Sequence, residues 1–181
     1  MEFLNIQIGI TGHRAICIED LPAIKDEVRH RLLALKIQHE GKSLCLLSGL
    51  AEGADRLVVE VGLELGIPFV GILPMAVSDY LSDFKTLVSR DEFDYFLTLA
   101  SRVEILSKLP VSTYEDRLLS YEKLAIYLAL NSQALIALWD GDLTENQGGT
   151  SQVVRYFKEA NLNKGGTLVH VLIRRRHIAS P

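Results

Sequence analysis

Little in this chain could act as a staple or an anchor. Its 181 residues contain two cysteines, Cys17 and Cys45, too few for a disulfide framework or a zinc site. Cys45 sits inside an apolar run and reads as inert packing. No apolar run reaches the length of a membrane span. The opening residues, Met1-Glu2-Phe3-Leu4-Asn5, lack the basic region and cleavage site of a secretory signal. Together these absences lead us to expect a cytoplasmic chain with no membrane partner. Positive charge is not in excess either: 19 Lys and Arg against 23 Asp and Glu leave a net charge of −4. A protein that coats nucleic acid needs a basic face, so nucleic acid is an unexpected partner, although a local basic pocket stays open. The Walker lysine loop is missing, and no Gly-x-Gly-x-x-Gly follows the first strand; the latter counts against an ordinary NAD-binding Rossmann domain. His30, His39 and His170 have no metal-ligand spacing. No Ser-His-Asp order stands out, so neither a metal nor a catalytic set is expected.

What is present is a globular composition, 48% hydrophobic and 23% charged, in a length suited to one domain over residues 1–181. Apolar runs read as strands over residues 4–10, 43–47, 69–73, 103–106, 134–139 and 167–173. Segments with helical spacing lie between them. The first helix opens at Asp20 and Pro22 and closes at Gly41, with Ile24, Val28, Leu32 and Leu35 as its stripe. The second carries Leu57, Val58, Val61 and Leu65 and ends at Gly66. Residues 75–89 are less regular. Ser89-Arg90-Asp91-Glu92 reads as a capping box for a helix with Phe93 and Phe96, and Ser112-Thr113-Tyr114-Glu115 as another, for a helix with Leu118, Tyr121, Ala125 and Leu128. A last helix carries Val153, Val154 and Phe157. Strands that alternate with helices and are apolar on both faces predict an α/β fold: Rossmann-like, doubly wound, mainly parallel, with helices on both faces. The basic tail Arg174-Arg175-Arg176-His177 reads as solvated.

Three loops at strand ends hold the candidate site. After strand two comes Ser48-Gly49-Leu50-Ala51-Glu52-Gly53-Ala54-Asp55. Gly49 and Gly53 there could let an anion approach backbone N–H groups and the positive end of the following helix. Ser48 adds a hydroxyl. Asp55 would repel phosphate, and suits capping amides or holding a ribose hydroxyl. The same octet would also serve as a plain strand-to-helix turn. After strand one, Thr11, Gly12, His13 and Arg14 offer a close approach, an imidazole and a forked guanidinium for phosphate; Arg14 could equally be a surface ion-pair partner. After strand five, Asp140 could bind ribose hydroxyls or merely precede the turn at Gly141. Beyond the polar loop 142–147, Gly148 and Gly149 expose amides before Thr150, a good N-cap. Tyr80 could stack on a base or belong to the core, and Trp139 reads as core or pocket wall. Parallel topology would bring these loops to one edge of the sheet.

Ser48-Gly49-Leu50-Ala51-x-Gly53-x-Asp55 resembles the signature of the DNA-processing protein A group in the SLOG superfamily of Rossmann-like nucleotide-binding proteins, Gly12-His13-Arg14 resembles that family's first glycine-to-arginine loop, and residues 135–141 followed by Gly148-Gly149-Thr150 resemble the superfamily's last strand and glycine loop. The resemblance runs from Ile8 to about Val154. It implies a nucleotide or nucleotide-derived ligand, with single-stranded DNA for the DNA-processing group. For the cytokinin-activating members it implies hydrolysis of the N-glycosidic bond of a nucleoside monophosphate. Their motif carries a glutamate three positions after the threonine of the last glycine loop; Val153 stands there in this chain. Their catalytic arginine has no match, Arg117 and Lys123 being only nearby. The expectation is therefore a binding or sensing domain with no required cofactor and a small-molecule nucleotide as partner. The ligand contacts would be Gly12, His13, Arg14, Ser48, Gly49, Ala51, Gly53, Asp55, Tyr80, Asp140, Gly148, Gly149 and Thr150. A phosphoribohydrolase, with Glu52 or Asp140 as the stand-in carboxylate, and single-stranded DNA binding are the alternatives. Self-association is open.

Overall fold

A computed structural model describes residues 5–142, 149–161 and 164–174. Six parallel strands build one sheet: β1 (Ile6–Gly12), β2 (Leu44–Ser48), β3 (Phe69–Leu73), β4 (Arg102–Ile105), β5 (Ala134–Trp139) and β6 (Thr167–Leu172), in the spatial order β4-β3-β2-β1-β5-β6. The helices are α1 (Leu21–Gln38), α2 (Ala54–Glu64), the single turn α3 (Val77–Tyr80), α4 (Leu87–Leu99), α5 (Tyr114–Asn131) and α6 (Thr150–Asn161). The Rossmann-like α/β architecture read from the sequence is the one observed.

Strand alternation divides the core in two. Ile6, Ile8 and Ile10 of β1 and Ala134, Ile136 and Leu138 of β5 face one side, where α1, α2 and α4 pack. Leu135, Ala137 and Trp139 face the other, against α5 and α6. The four apolar residues of the α1 stripe, Ile24, Val28, Leu32 and Leu35, are all buried, as their 3.6-residue spacing requires. Chain direction explains why the helices separate as they do. From β1 to β4 the chain steps outward one way; α5 then carries it back to β5, beside β1, and β6 follows outward the other way. Right-handed crossovers place helices of opposite progression on opposite faces. The strand order reverses between β1 and β5, and that reversal opens a crevice at their carboxyl ends.

Some local signals differ from the sequence reading. Helix α4 begins two residues before Ser89, and its cap is Thr86, whose hydroxyl accepts from the Ser89 N–H at 3.1 Å. The α5 capping box is Thr113 with Asp116, one residue later than predicted. Asp20 precedes α1 without capping it through its side chain; its carboxylate instead receives both Nε (3.1 Å) and Nη2 (2.7 Å) of Arg174. Arg174 is thus paired; residues 175–177 of the basic tail lie outside the described residues.

Candidate functional site

A cleft of about 250 Å³ opens at the β1/β5 reversal. Its floor and walls come from the end of β1 (Thr11, Gly12, His13, Arg14), the β2–α2 turn (Ala51, Asp55), Tyr80, the inner face of α5 (Tyr121, Leu124, Leu128) and the start of α6 (Gly149, Thr150, Ser151). Two links tie the rim together. The His13 N–H donates to Leu138 O at 3.0 Å, continuing the β1–β5 ladder by one residue. The His13 ring then crosses the gap: Nε2 lies 3.1 Å from the Asp140 amide and 3.0 Å from Asp140 Oδ1. One ring nitrogen cannot accept the amide proton and donate to the carboxylate at once, so its protonation decides which bond forms.

Arg14 leaves the end of β1 exposed to solvent, but it is not loose. Its Nη2 donates to the Tyr121 hydroxyl at 2.7 Å, and its guanidinium lies 5.6 Å from the Tyr121 ring centroid. The Tyr121 hydroxyl in turn donates to Asp83 Oδ2, and Arg117 Nη1 donates to Asp83 Oδ1 at 2.8 Å. Burial holds the Tyr121 hydroxyl well above its usual range; Arg14 opposes this shift and Asp83 reinforces it. The phenol therefore stays protonated, accepting from Arg14 and donating to Asp83. Only Nη2 of Arg14 is engaged in this way among the described residues, so its remaining donors are available at a cleft that Arg14 itself lines.

Asp55 is the unusual carboxyl here. It is 7% exposed, with Oδ2 accepting from the Ala51 N–H at 3.3 Å and the Ser48 hydroxyl at 3.4 Å. Burial pushes its pKa up to about 6, against the opposing pull of those two hydrogen bonds and of Arg14 and Arg56. The sequence offered it as an amide cap or a hydroxyl holder; the structure shows the amide cap.

The structure brings Gly12, His13, Arg14, Ala51, Asp55, Tyr80, Gly149 and Thr150 to the cleft. Ser48, Gly49, Gly53 and Asp140 do not line it, and Asp140 is joined to it through His13. Gly148 lies outside the described residues. The glycines of the first two loops also act differently from the expectation that they admit a ligand. A Cβ on Gly12 would lie 2.4 Å from Ala54 Cβ, and one on Gly53 (φ +74) would lie 2.3 Å from Arg14 O. The absent Cβ atoms let the first loop pack on the start of α2, where the Ala54 N–H donates to His13 O at 3.1 Å. Gly49 is likewise enclosed, its carbonyl accepting from the Tyr80 hydroxyl at 2.9 Å. Tyr80 is fully buried against Phe84 and Phe93, so it belongs to the core and offers no open ring face for stacking. Thr150 is the first residue of α6, not its cap: Gly149 O accepts from the N–H groups of Gln152 and Val153.

Sequence reasoning missed Tyr121, Asp83 and Arg117 as a linked set. Tyr121 was visible only as part of a helical stripe. Nothing local shows that α5 crosses to the second face and lays that stripe beside the β1 loop.

No protein-family model matches the sequence, and no curated protein matches it significantly. Among solved structures, the chain is similar to DNA processing protein A from Streptococcus pneumoniae, with 13% sequence identity and a TM-score of 0.48, over 91% of this chain and 58% of that one. The chain thus spans less than two thirds of that protein.

Proposed function

We propose that this cleft binds a nucleotide or nucleotide-derived small molecule, with its phosphate between Arg14 and the first turn of α6. The observation that carries the reading is the placement of Arg14. A guanidinium held by Tyr121 faces the strand-order reversal, where ligands of open α/β sheets bind. It can offer a forked pair of donors to a phosphate. The positive end of the α6 dipole, at Thr150, suits the same anion. Because Gly12, Gly49 and Gly53 are occupied by neighbouring protein, the phosphate falls to Arg14 and α6, not to the Ser48–Asp55 turn. A volume of about 250 Å³ lies just below the usual range of about 300–1,000 Å³ for small-molecule pockets, which favours a single nucleotide over an oligonucleotide.

Thermal unfolding against a panel of nucleoside mono-, di- and triphosphates and cyclic nucleotides tests this. A ligand that binds only the folded chain must raise the melting temperature at concentrations well above its dissociation constant. A panel that leaves it unchanged at millimolar concentration removes the reading.

One observation favours a second reading. A carboxyl group whose pKa sits near 6 in a cleft is suited to proton transfer near neutrality. Hydrolysis of an N-glycosidic bond would then fall to Asp55. Glu52 instead accepts from the Ser89 hydroxyl and does not line the cleft, and Asp140 is engaged with His13. Release of free base from a nucleoside monophosphate, abolished in Asp55→Asn, would support this reading; no base release ends it.

A further inference from the structure

Much of the cleft's lining is apolar, from Ala125, Leu128 and Val153. Two buried side-chain oxygens stand out against it. Thr11 and Asp55 are each 7% exposed, and both line the cleft. The Thr11 hydroxyl has no hydrogen-bond partner among the described residues. Asp55 uses Oδ2 to accept from the Ala51 N–H and the Ser48 hydroxyl, and its Oδ1 has no such partner. Polar groups buried to this extent are normally hydrogen-bonded. A pair of them left open in a cleft suits polar groups brought by a ligand.

The strand register makes the two residues neighbours. Ile10 faces the α1 and α2 side of the sheet, so Thr11 turns to the α5 side. Gly9 pairs with Leu47; carried on by two residues, that register sets Thr11 beside Gly49. A Cβ on Gly49 would lie 2.9 Å from Leu124 Cδ2 of α5 and 3.2 Å from Asp55 Oδ2, so the Asp55 carboxyl lies on the same side. Thr11 and Asp55 therefore stand one inter-strand spacing apart, about 5 Å, close enough to meet two adjacent hydroxyls of one sugar ring. Their chemistry selects that group. A carboxylate repels phosphate and accepts from hydroxyls, and a threonine hydroxyl both donates and accepts. The guanidinium suited to phosphate is close by: Arg14 is one of the charges that act on Asp55. In a nucleotide, the part bonded directly to the phosphate is the sugar. We propose that Thr11 and Asp55 hold the adjacent 2′- and 3′-hydroxyls of a ribose, so that the cleft takes ribonucleotides in preference to their deoxy counterparts, an inference that rests on the nucleotide reading above.

Calorimetric titration of the full chain with ribonucleoside 5′-mono-, di- and triphosphates and their 2′,3′-dideoxy counterparts tests it. A ribonucleotide that binds should do so at least about tenfold more tightly than its dideoxy counterpart, because the analogue leaves buried polar groups unpaired. Thr11→Val keeps the shape of the side chain and loses the hydroxyl. Asp55→Asn replaces one acceptor oxygen with a donor nitrogen. Each should lower that affinity ratio severalfold, and Thr11→Ser should keep it. A ratio near one in the wild type overturns the ribose assignment and leaves nucleotide binding in place. A Thr11→Val or Asp55→Asn variant that keeps the full ratio, including one that weakens both series equally, overturns the role given to that residue. No binding in either series overturns this inference; the nucleotide reading then falls only if cyclic nucleotides also fail to bind.

Discussion

A Cβ placed on Gly53 would lie 2.3 Å from the carbonyl oxygen of Arg14. This contact locks the β2–α2 turn onto the loop that carries Arg14. Gly53→Ala should therefore cost at least about 3 kcal/mol, because strain at positive φ adds to a backbone clash that no side chain can relieve. Gly66 has a similar φ, +70, and nothing within 4 Å of its Cβ position; Gly66→Ala should cost only about 1–2 kcal/mol. Urea unfolding of the two variants checks the difference. Equal losses would mean the interlock contributes nothing beyond the dihedral.

Without Arg14 the Tyr121 hydroxyl still donates to Asp83, so Arg14→Gln should change folding stability by less than about 1 kcal/mol. Nucleotide affinity should fall roughly 10- to 100-fold, the usual worth of a charge-assisted hydrogen bond. Arg14→Lys should recover little of it, since a point charge does not reproduce the fork. Calorimetric titration of the three proteins decides this.

Tyr121 holds Arg14 without needing to touch the ligand. Tyr121→Phe removes the acceptor for Arg14 and the donor to Asp83, while Arg117 still satisfies Asp83. The variant should lose about 1 kcal/mol of stability and weaken nucleotide binding several-fold, less than Arg14→Gln. In a double-mutant cycle the two effects should be strongly non-additive; simple additivity would show that the two side chains act separately.

Asp55 gives the fold a pH signature. Its pKa is raised to about 6 in the folded chain from 3.8, so between those values the folded state holds the proton more tightly than the unfolded one. Stability from this group falls as pH rises through that window. The cost is absent below the lower value, complete above the upper one, and at most about 3 kcal/mol. Asp55→Asn removes the ionisation, so the stability difference between wild type and variant should shift against the wild type from about pH 4 to about pH 7. A shift in the other direction would mean the carboxylate is stabilised in the folded state.

Much of the sheet was legible, and the reasons are local. Strands β3 and β5 are short apolar runs bounded by polar residues or proline, and their limits, 69–73 and 134–139, were read directly. The caps were harder: Ser89 and Ser112 both begin a matching capping pattern, yet Thr86 and Thr113 are the residues whose backbones are extended. The glycine loops show a deeper limit. A sequence can say that a Cβ is intolerable at Gly12 or Gly53; it does not say whether a ligand or another loop fills the space. Here the loops fill it. The Arg14–Tyr121–Asp83 link joins residues up to 107 positions apart, and only the return crossover through α5 makes them neighbours.

The most direct test of the central claim is a crystal structure of the chain soaked with the nucleotide that most raises its melting temperature. Density for a phosphate is expected within hydrogen-bond distance of the Arg14 guanidinium and the first turn of α6, between the ends of β1 and β5. Density elsewhere on the molecule, or an empty cleft at saturating concentration, would contradict it.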